Sequence, residues 1–250
     1  EPPMKTIKVG AGDAELSLGG ETVLFRHEKT FVSRTRYAMS LCTCMDDETV
    51  AQKLEDIKKV DYERIGERMF VEMVYVNYSA DGKQDYVELV KKAAETGRIL
   101  ILDCKDAEIA KAALEVCKDG KPILNGADAS NYEAMNAVAT AAGVVLGVSG
   151  ADINELYDTT AAIEKLGYKD LVLNTTGATI KETFSTTVQV RRACLAKNPD
   201  RTFGYPSIVN LCKIAPNDEP MQISLASVFV LKYGSIVVMD TMNYARALPL

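Results

Sequence analysis

The 250-residue sequence contains a single histidine, His27, and lacks any apolar run long enough to cross a membrane. One histidine excludes a histidine-rich metal site and leaves no convincing Ser-His-Asp set for nucleophilic catalysis. A membrane-spanning helix needs about 20 consecutive apolar residues, and no signal peptide opens the chain. The sequence therefore predicts a cytoplasmic protein without a membrane partner.

Basic patches and nucleotide-binding loops are also missing. The net charge is −6, with the two signs interspersed, which argues against a nucleic-acid partner. Neither G-x-G-x-x-G nor G-x-x-x-x-G-K-[ST] occurs, so the sequence has no dinucleotide fingerprint and no P-loop.

The six cysteines are irregularly spaced, which predicts reduced thiols rather than a disulfide framework. Alternate residues of a strand point the same way, so both thiols of Cys42-Thr43-Cys44 could face one side. An iron–sulfur cluster or a zinc site needs about four ligands, and no second cysteine pair is evident. We therefore expect Cys42 and Cys44 to be core residues of the first barrel strand.

Glycine-terminated helices followed by short apolar runs recur along the chain. Because glycine adopts the left-handed backbone that closes a helix, we expect helices to stop at Gly97, Gly120, Gly143, Gly167 and Gly234. Hydrophobic residues make up 47% of the chain, which is enough for a full core. A helix, a stop and a buried strand in repetition predict a (β/α)8 TIM barrel.

We predict an N-terminal linker and β-hairpin lid over residues 1–36, with one further strand in it, and the barrel over residues 37–250. Both ends look cut, as in a domain excised from a longer protein. The eight expected strands are mostly apolar throughout, as strands buried on both faces should be. They are Tyr37–Thr43, Met69–Val76, Ile99–Leu102, Pro122–Leu124, Val144–Gly147, Leu171–Leu173, Ser207–Val209 and Ser235–Met239.

Helix starts are marked between these strands. Capping-box patterns begin at Ser130, Asp152 and Thr179, each with a glutamate three residues later. Asp46 and its acidic neighbours favour a helix start, and Pro220 suits the first turn of another helix.

Asn or Asp follows six of the eight expected strands, at the barrel end where ligand sites lie. We select five as candidates for a pterin-type pocket: Asn77, Asp103, Asn125, Asn174 and Asp240. Amide and carboxylate groups could hold the edge of a flat heterocycle. The alternative is that they only cap turns and helices, where both residue types are favoured. His27 could act as an acid or base, although a surface hydrogen-bonding role is preferred. No catalytic or metal-binding residue is assigned.

The run from Gly19 to Phe31 (GGETVLFRHEKTF) resembles the start of the barrel in the large (gamma) subunit of the corrinoid iron–sulfur protein. Further similarities follow in the same order along the chain. They are Met45–Glu48, Asn131–Met135, Gly204–Pro206 and Tyr244–Leu250.

The resemblance implies a methyl carrier that serves the CO dehydrogenase/acetyl-CoA synthase system. Its full-length form is expected to hold a 4Fe-4S cluster and a corrinoid (cobalamin) in other domains, and neither cofactor in this fragment. The implied partners are the small subunit, a pterin-dependent methyltransferase and acetyl-CoA synthase. The barrel itself would be a scaffold, and Cys42 and Cys44 would not be cluster ligands.

Two enzymatic alternatives remain. A methyl-pterin:corrinoid methyltransferase would hold the pterin with Asp103, Asn125 and Asn174 and would need proton donation towards N5. An aldolase-type barrel is disfavoured, because no strand offers a well-placed lysine for a Schiff base and Lys105 and Lys213 are expected in loops.

Overall fold

A computed structural model describes residues 5–20, 33–64, 66–196, 200–231 and 234–247. Eight parallel strands close into a barrel in the order β3, β6, β7, β8, β9, β10, β11, β12 and back to β3. They are β3 (Arg36–Cys42), β6 (Met73–Asn77), β7 (Ile99–Asp103), β8 (Ile123–Ala127), β9 (Val145–Val148), β10 (Leu171–Asn174), β11 (Ser207–Asn210) and β12 (Ile236–Met239). The predicted TIM barrel is confirmed.

Helices alternate with these strands, and the first eight of them bury apolar side chains. They are α1 (Asp47–Lys59), α2 (Tyr86–Ala94), α3 (Ala107–Glu115), α4 (Tyr132–Ala142), α5 (Ile153–Lys165), α6 (Ile180–Cys194), α7 (Leu211–Ile214), α8 (Glu219–Leu231) and α9 (Tyr244–Ala247). Short 3₁₀ turns lie at Gly12–Ala14, Lys118–Gly120 and Arg201–Phe203. In the described ranges, no helix has the length and apolar character needed to cross a membrane.

The expected N-terminal hairpin is present as β1 (Thr6–Val9) paired antiparallel with β2 (Leu16–Gly19). It covers the amino-terminal end of the barrel, since Gly10 N–H donates to the Lys121 carbonyl just before β8. The Lys5 N–H donates to the Gly204 carbonyl just before β11, at 2.7 Å. A side chain at Gly19 would meet the Lys5 carbonyl at 2.2 Å, so glycine is required there. The further strand expected before the barrel, and His27, lie outside the described residues.

Neighbouring barrel strands are joined over different lengths. The β3–β6 and β6–β7 pairs each have five residue pairs in register. The β10–β11 pair has only two, Leu173 with Ser207 and Asn174 with Ile208. At its amino-terminal side this short seam is spanned by Glu164, whose carboxylate accepts from Lys5 Nζ at 2.8 Å and from Tyr205 Oη at 2.5 Å.

The second predicted barrel strand is wrong at its start. Met69 belongs to β5 (Glu67–Phe70), which pairs antiparallel with β4 (Asp61–Arg64) in a separate hairpin. The barrel strand begins only at Met73. Apolar residues on both sides of the break make the two strands look continuous in the sequence.

Helix ends follow the predicted glycines only in part. Gly97, Gly143 and Gly167 have positive φ of 69°, 64° and 94°. Gly120 and Gly234 do not adopt positive φ, so these two predicted left-handed stops are wrong. After the 3₁₀ turn at Lys118–Gly120, Lys121 takes the left-handed conformation instead, with φ 43°.

The helix starts also differ from one another. Thr179 and Glu182 form the complete capping box predicted for α6. Asp46 caps α1 and Asp152 caps α5 as expected, but the Glu155 carboxylate accepts from the Ala151 N–H rather than from Asp152.

The capping box predicted at Ser130 is wrong. Helix α4 has Asn131 at its cap position and no side-chain cap bond. Ser130 instead donates through its hydroxyl and its N–H to the Asp128 carboxylate, because the preceding loop folds back on itself.

Candidate functional site

Four residues of the first four barrel strands lie in one register row at the carboxyl end. Cys42 pairs with Asn77, Asn77 with Asp103, and Asp103 with Asn125. In a closed barrel, neighbouring strand ends converge, so residues at one level share one opening. Three of the five residues predicted from strand ends, Asn77, Asp103 and Asn125, therefore lie side by side.

A cavity of about 650 Å³ opens at this end of the barrel. All five predicted residues line it, together with Asn210. Lys105 and Lys213 also face it from above the strands, although Lys213 lies in α7 rather than in the loop expected. A pocket of this volume with several convergent polar groups has the size of a small-molecule site.

Asn125 is at the centre of the cavity floor and only 1% exposed. Its Nδ2 donates to Asp103 Oδ1 at 2.8 Å and to Tyr75 Oη at 3.1 Å. Its Oδ1 accepts from Asn174 Nδ2 at 3.3 Å. A side chain at Gly147 would meet Asn125 Oδ1 at 2.5 Å, so glycine there leaves room for the amide. Four side chains from four strands are thus held in one network.

Gly126, immediately after Asn125, allows the bulge that aims this amide inward. Its φ is 143°, and a Cβ there would meet the Cys104 carbonyl at 2.2 Å. The register between β8 and β9 shifts between Asn125 and Ala127. Bulges of this kind redirect a side chain at the rim of a barrel.

Burial dominates the electrostatics of the floor. It raises the pKa of Asp103, although hydrogen bonds from Tyr75 and Asn125 favour the carboxylate and oppose that shift. Burial raises the pKa of Tyr75 well above its usual value, and the neighbouring Asp103 charge raises it further. The pair therefore retains protons more readily than the same groups in water.

Asp240 lies on the opposite wall and is engaged by the protein. Its Oδ2 accepts from Gln222 Nε2 at 2.8 Å, and its backbone oxygen accepts from Lys53 Nζ at 2.7 Å. Burial lowers the pKa of Lys53, and the nearby Asp240 charge partly offsets this. Burial, followed by the Asp240 charge, raises the pKa of Cys212 beside it. Asp240 thus anchors a helix and a lysine at the cavity wall.

Cys42 and Cys44 form a disulfide, so the prediction that these two thiols are reduced is wrong. The turn after β3 brings their Cα atoms to 5.1 Å, a separation at which a disulfide can form. Asn77 Nδ2 donates to Cys42 Sγ at 3.4 Å. Cys104, Cys117, Cys194 and Cys212 are free thiols, as predicted for that part of the cysteine set.

Tyr75 and Lys53 were missed by reading only the residue after each strand. Tyr75 precedes Asn77 by two positions in β6, so both point to the same side of the strand. That alternation was a usable signal for Tyr75. Lys53 reaches the wall from the middle of α1, and no local pattern indicates it.

The turn-capping alternative also holds for some of these residues. Asn210 Oδ1 accepts from the Lys213 N–H as the cap of α7, at 3.3 Å. Asn174 Oδ1 accepts from the Thr176 N–H at 3.1 Å while its amide nitrogen faces Asn125. Within the described ranges, no group of three His, Cys, Asp or Glu residues is placed to hold a metal ion.

Comparison with known families matches nearly the whole chain. Residues 6–250 fit the family model described as the CO dehydrogenase/acetyl-CoA synthase delta subunit. The corrinoid/iron-sulfur protein large subunit of Moorella thermoacetica is 33% identical over 250 residues, covering 100% of this chain and 55% of that protein. The acetyl-CoA decarbonylase/synthase complex subunit gamma of Methanopyrus kandleri is 29% identical, covering 99% and 55%. The chain spans about half the length of these relatives.

Solved structures show the same fold at low identity. A dihydropteroate synthase from Thermus thermophilus, crystallised in complex with 6HMPPP, has a TM-score of 0.62 at 14% identity and covers 94% of this chain and 93% of that one. A DAHP synthase from Thermotoga maritima has a TM-score of 0.63 at 12% identity, covering 96% and 65%.

Proposed function

Because the chain belongs to the CO dehydrogenase/acetyl-CoA synthase delta subunit family, we propose that it is the barrel scaffold of a corrinoid iron–sulfur methyl carrier. The carrier protein to which this barrel would belong passes a methyl group from a methyl-pterin, through a methyltransferase, to acetyl-CoA synthase. Its partners would be the small subunit, that methyltransferase and the synthase. The proposal includes the cytoplasmic location expected from the sequence.

The match to the Moorella thermoacetica protein, over 55% of that protein's length, is the observation that carries this proposal. The residues described here do not fit an iron–sulfur cluster, because Cys42 and Cys44 bond to each other and the remaining four thiols lie on separate elements. No residue of this chain is assigned as a corrinoid ligand. We therefore assign both cofactors to the parts of the relatives that this chain does not match.

The test is to produce the chain with hydroxocobalamin, iron and sulfide supplied, and to record its absorbance after purification. The scaffold role predicts no bound corrinoid or cluster, and a one-to-one complex with the small subunit in native mass spectrometry. Stoichiometric corrinoid in the purified chain, or no association with the small subunit, would refute it.

A second candidate function is a methyl-pterin:corrinoid methyltransferase. The observation that favours it is the network of Asp103, Asn125 and Asn174 on the cavity floor. Such amides can pair with the amide and amino groups of a pterin edge. Asp103 is the group whose proton could go to N5, since burial favours its protonated form.

This candidate is tested by calorimetric titration with methyltetrahydrofolate and methyltetrahydrosarcinapterin. A pterin site predicts binding that weakens at least tenfold in Asn125→Ala. The variant loses the amide that holds Asp103, and a hydrogen bond to a charged group is worth about 1.5–3 kcal/mol. Asn154→Ala, on the exposed start of α5, is the matched control. No binding at millimolar pterin would exclude the enzyme, while binding that Asn125→Ala leaves unchanged would exclude only the site.

A further inference from the structure

We propose that Cys42 and Cys44 form a thiol–disulfide exchange site at the cavity mouth, with Cys44 as the sulfur attacked by an external thiol and Cys42 as the leaving group. The site is independent of the methyl-carrier role. It rests on three arrangements around the disulfide: unequal exposure of the two sulfurs, hydrogen-bond donors on one of them, and a loop held by the residue between them.

The two cysteines differ in access. Cys42 ends β3 and is 7% exposed, whereas Cys44 lies in the following turn and is exposed. Both line the cavity with Asn77 and Asp103. An external thiolate approaching from solvent therefore has better access to Cys44 than to Cys42.

The hydrogen-bond donors are concentrated on Cys42. Its Sγ accepts from the Cys44 N–H at 3.1 Å and from Asn77 Nδ2 at 3.4 Å. Donors of this kind stabilise the charged form of a thiol, and a stabilised thiolate leaves faster in disulfide exchange. The groups needed to stabilise a departing Cys42 thiolate are thus in place before the bond breaks.

The exchange balances with an external thiol as the reductant. A thiolate attacks Cys44 Sγ, the bond between the two cysteines breaks, and Cys42 leaves with the electron pair as a thiolate. A second thiolate then attacks the external sulfur of the mixed disulfide and releases Cys44. Two external thiols are oxidised to one disulfide, and their two protons pass to Cys42 and Cys44.

Thr43, between the two cysteines, connects this chemistry to the rim of the cavity. Its buried Oγ1 accepts from the Ser79 N–H at 2.9 Å and donates to the Ser79 carbonyl at 3.2 Å. Its carbonyl accepts from the Lys83 and Gln84 N–H groups at 2.7 and 3.0 Å. The loop between β6 and α2 is therefore attached to the turn that the disulfide closes, and reduction should loosen it.

The other thiols provide an internal contrast. Burial raises the pKa of Cys104 and Cys194 to about 11 and that of Cys117 to about 12. Thiols of this type are slow nucleophiles and slow to be modified. These three thiols should stay unlabelled in the folded chain while the Cys42–Cys44 disulfide is reduced.

The experiment equilibrates the chain with oxidised glutathione, adds reduced glutathione in steps, and maps N-ethylmaleimide labelling by mass spectrometry. Both cysteines should become labelled as reduced glutathione is added, and the mixed-disulfide species should carry glutathione on Cys44 and the label on Cys42. Cys42→Ser should retain a stable adduct on Cys44. Labelling of both residues before any reductant is added, or a first adduct on Cys42, would overturn the proposal.

The donor role of Asn77 is tested by the rate. In Asn77→Ala, reduced glutathione should reduce the Cys42–Cys44 disulfide roughly twofold to tenfold more slowly, the range expected for one lost hydrogen bond. Asn154→Ala keeps the parent rate as the control. Amide exchange at Ser79, Lys83 and Gln84 should accelerate on reduction in the parent chain. An unchanged rate in Asn77→Ala, or unchanged exchange at all three amides, would count against the assigned mechanism.

Discussion

At the amino-terminal end of the barrel the strands meet a hairpin of buried aliphatic side chains, whereas at the carboxyl end they meet a cavity lined by amides and carboxylates. Ile7, Val9 and Leu18 are at most 5% exposed. Asp103 and Asn174 retain partial exposure beside an opening of about 650 Å³. The same strands thus meet a packed hairpin at one end and line an open cavity at the other, the end where barrels of this fold keep their ligand sites.

The charged groups of the two ends follow the same division. Glu72, just before β6, is buried, and its carboxylate has three hydrogen-bond donors. It accepts from Arg34 at 2.9 Å, from Arg36 at 3.3 Å and from the Tyr37 N–H at 3.1 Å. Asp103, at the other end of the next strand, has neutral hydrogen-bond partners and a raised pKa. The buried carboxylate of Glu72 at the closed end is thus paired with two arginines, whereas Asp103 at the open end is held by uncharged side chains.

The largest expected effect is at the closed end. Glu72→Ala should lower the free energy of unfolding by about 3 kcal/mol, because Arg36 loses its carboxylate partner in a buried setting. Urea denaturation measures the change. Glu115→Ala, which removes an exposed ion pair with Lys118, should cost less than about 0.5 kcal/mol. Equal losses in the two variants would break the comparison.

Truncating the hairpin should be almost as costly. Leu18→Ala removes a side chain that is 1% exposed, and it should cost about 2 kcal/mol, the lower end of the range for large-to-small changes in a core. Thermal unfolding followed by circular dichroism gives the difference. Leu166→Ala is the control, since Leu166 is 54% exposed. A loss no greater than the control's would mean that the hairpin does not contribute to the closed end.

The open end should respond to pH through Asp103. Between the ordinary carboxyl pKa near 4 and the raised value, the folded chain holds a proton that the unfolded chain has released. Stability of the parent should therefore fall as pH rises through that window, by about 1.4 kcal/mol for each unit of pKa shift. Asp103→Asn should not show this fall.

The measurement is urea denaturation of the parent and of Asp103→Asn across the acidic range. Asp119→Asn, which removes an exposed carboxyl group, controls for the loss of one charge. If Asp103→Asn and the parent gave parallel curves, the buried floor would not hold the proton as we expect.

The smallest effect concerns a helix start at the open end. Thr179→Ala removes the side chain that accepts from the Glu182 N–H at 3.2 Å and should cost about 1 kcal/mol. Thr179→Ser keeps the acceptor and should recover most of the loss in urea denaturation. A serine variant as unstable as the alanine variant would show that the methyl group, rather than the cap, is responsible.

Sequence reasoning reached the barrel because glycine stops and apolar strands are local signals. It located Asp103, Asn125 and Asn174 because strand ends are readable from the same signals. It failed where a second arrangement competes locally: Ser130 binds Asp128 instead of the helix, and Lys121 takes the left-handed position expected of Gly120.

Contacts between residues far apart in the chain could not be predicted from the sequence. Lys53 reaches Asp240 over a separation of 187 residues, and no spacing rule connects them. The Cys42–Cys44 disulfide was missed for a different reason. Irregular cysteine spacing favours reduced thiols in general, but the turn after β3 decides this particular pair.

The short seam between β10 and β11 is supported from outside the sheet as well as within it. Besides the two residue pairs in register, backbone bonds from the Leu173 N–H to the Pro206 carbonyl and from the Thr175 N–H to the Ile208 carbonyl cross it. At its amino-terminal side, Glu164 binds both Lys5 and Tyr205. A single carboxylate on α5, outside the sheet, therefore joins the helix before β10 to Tyr205 just before β11 and to Lys5, the first described residue of the chain.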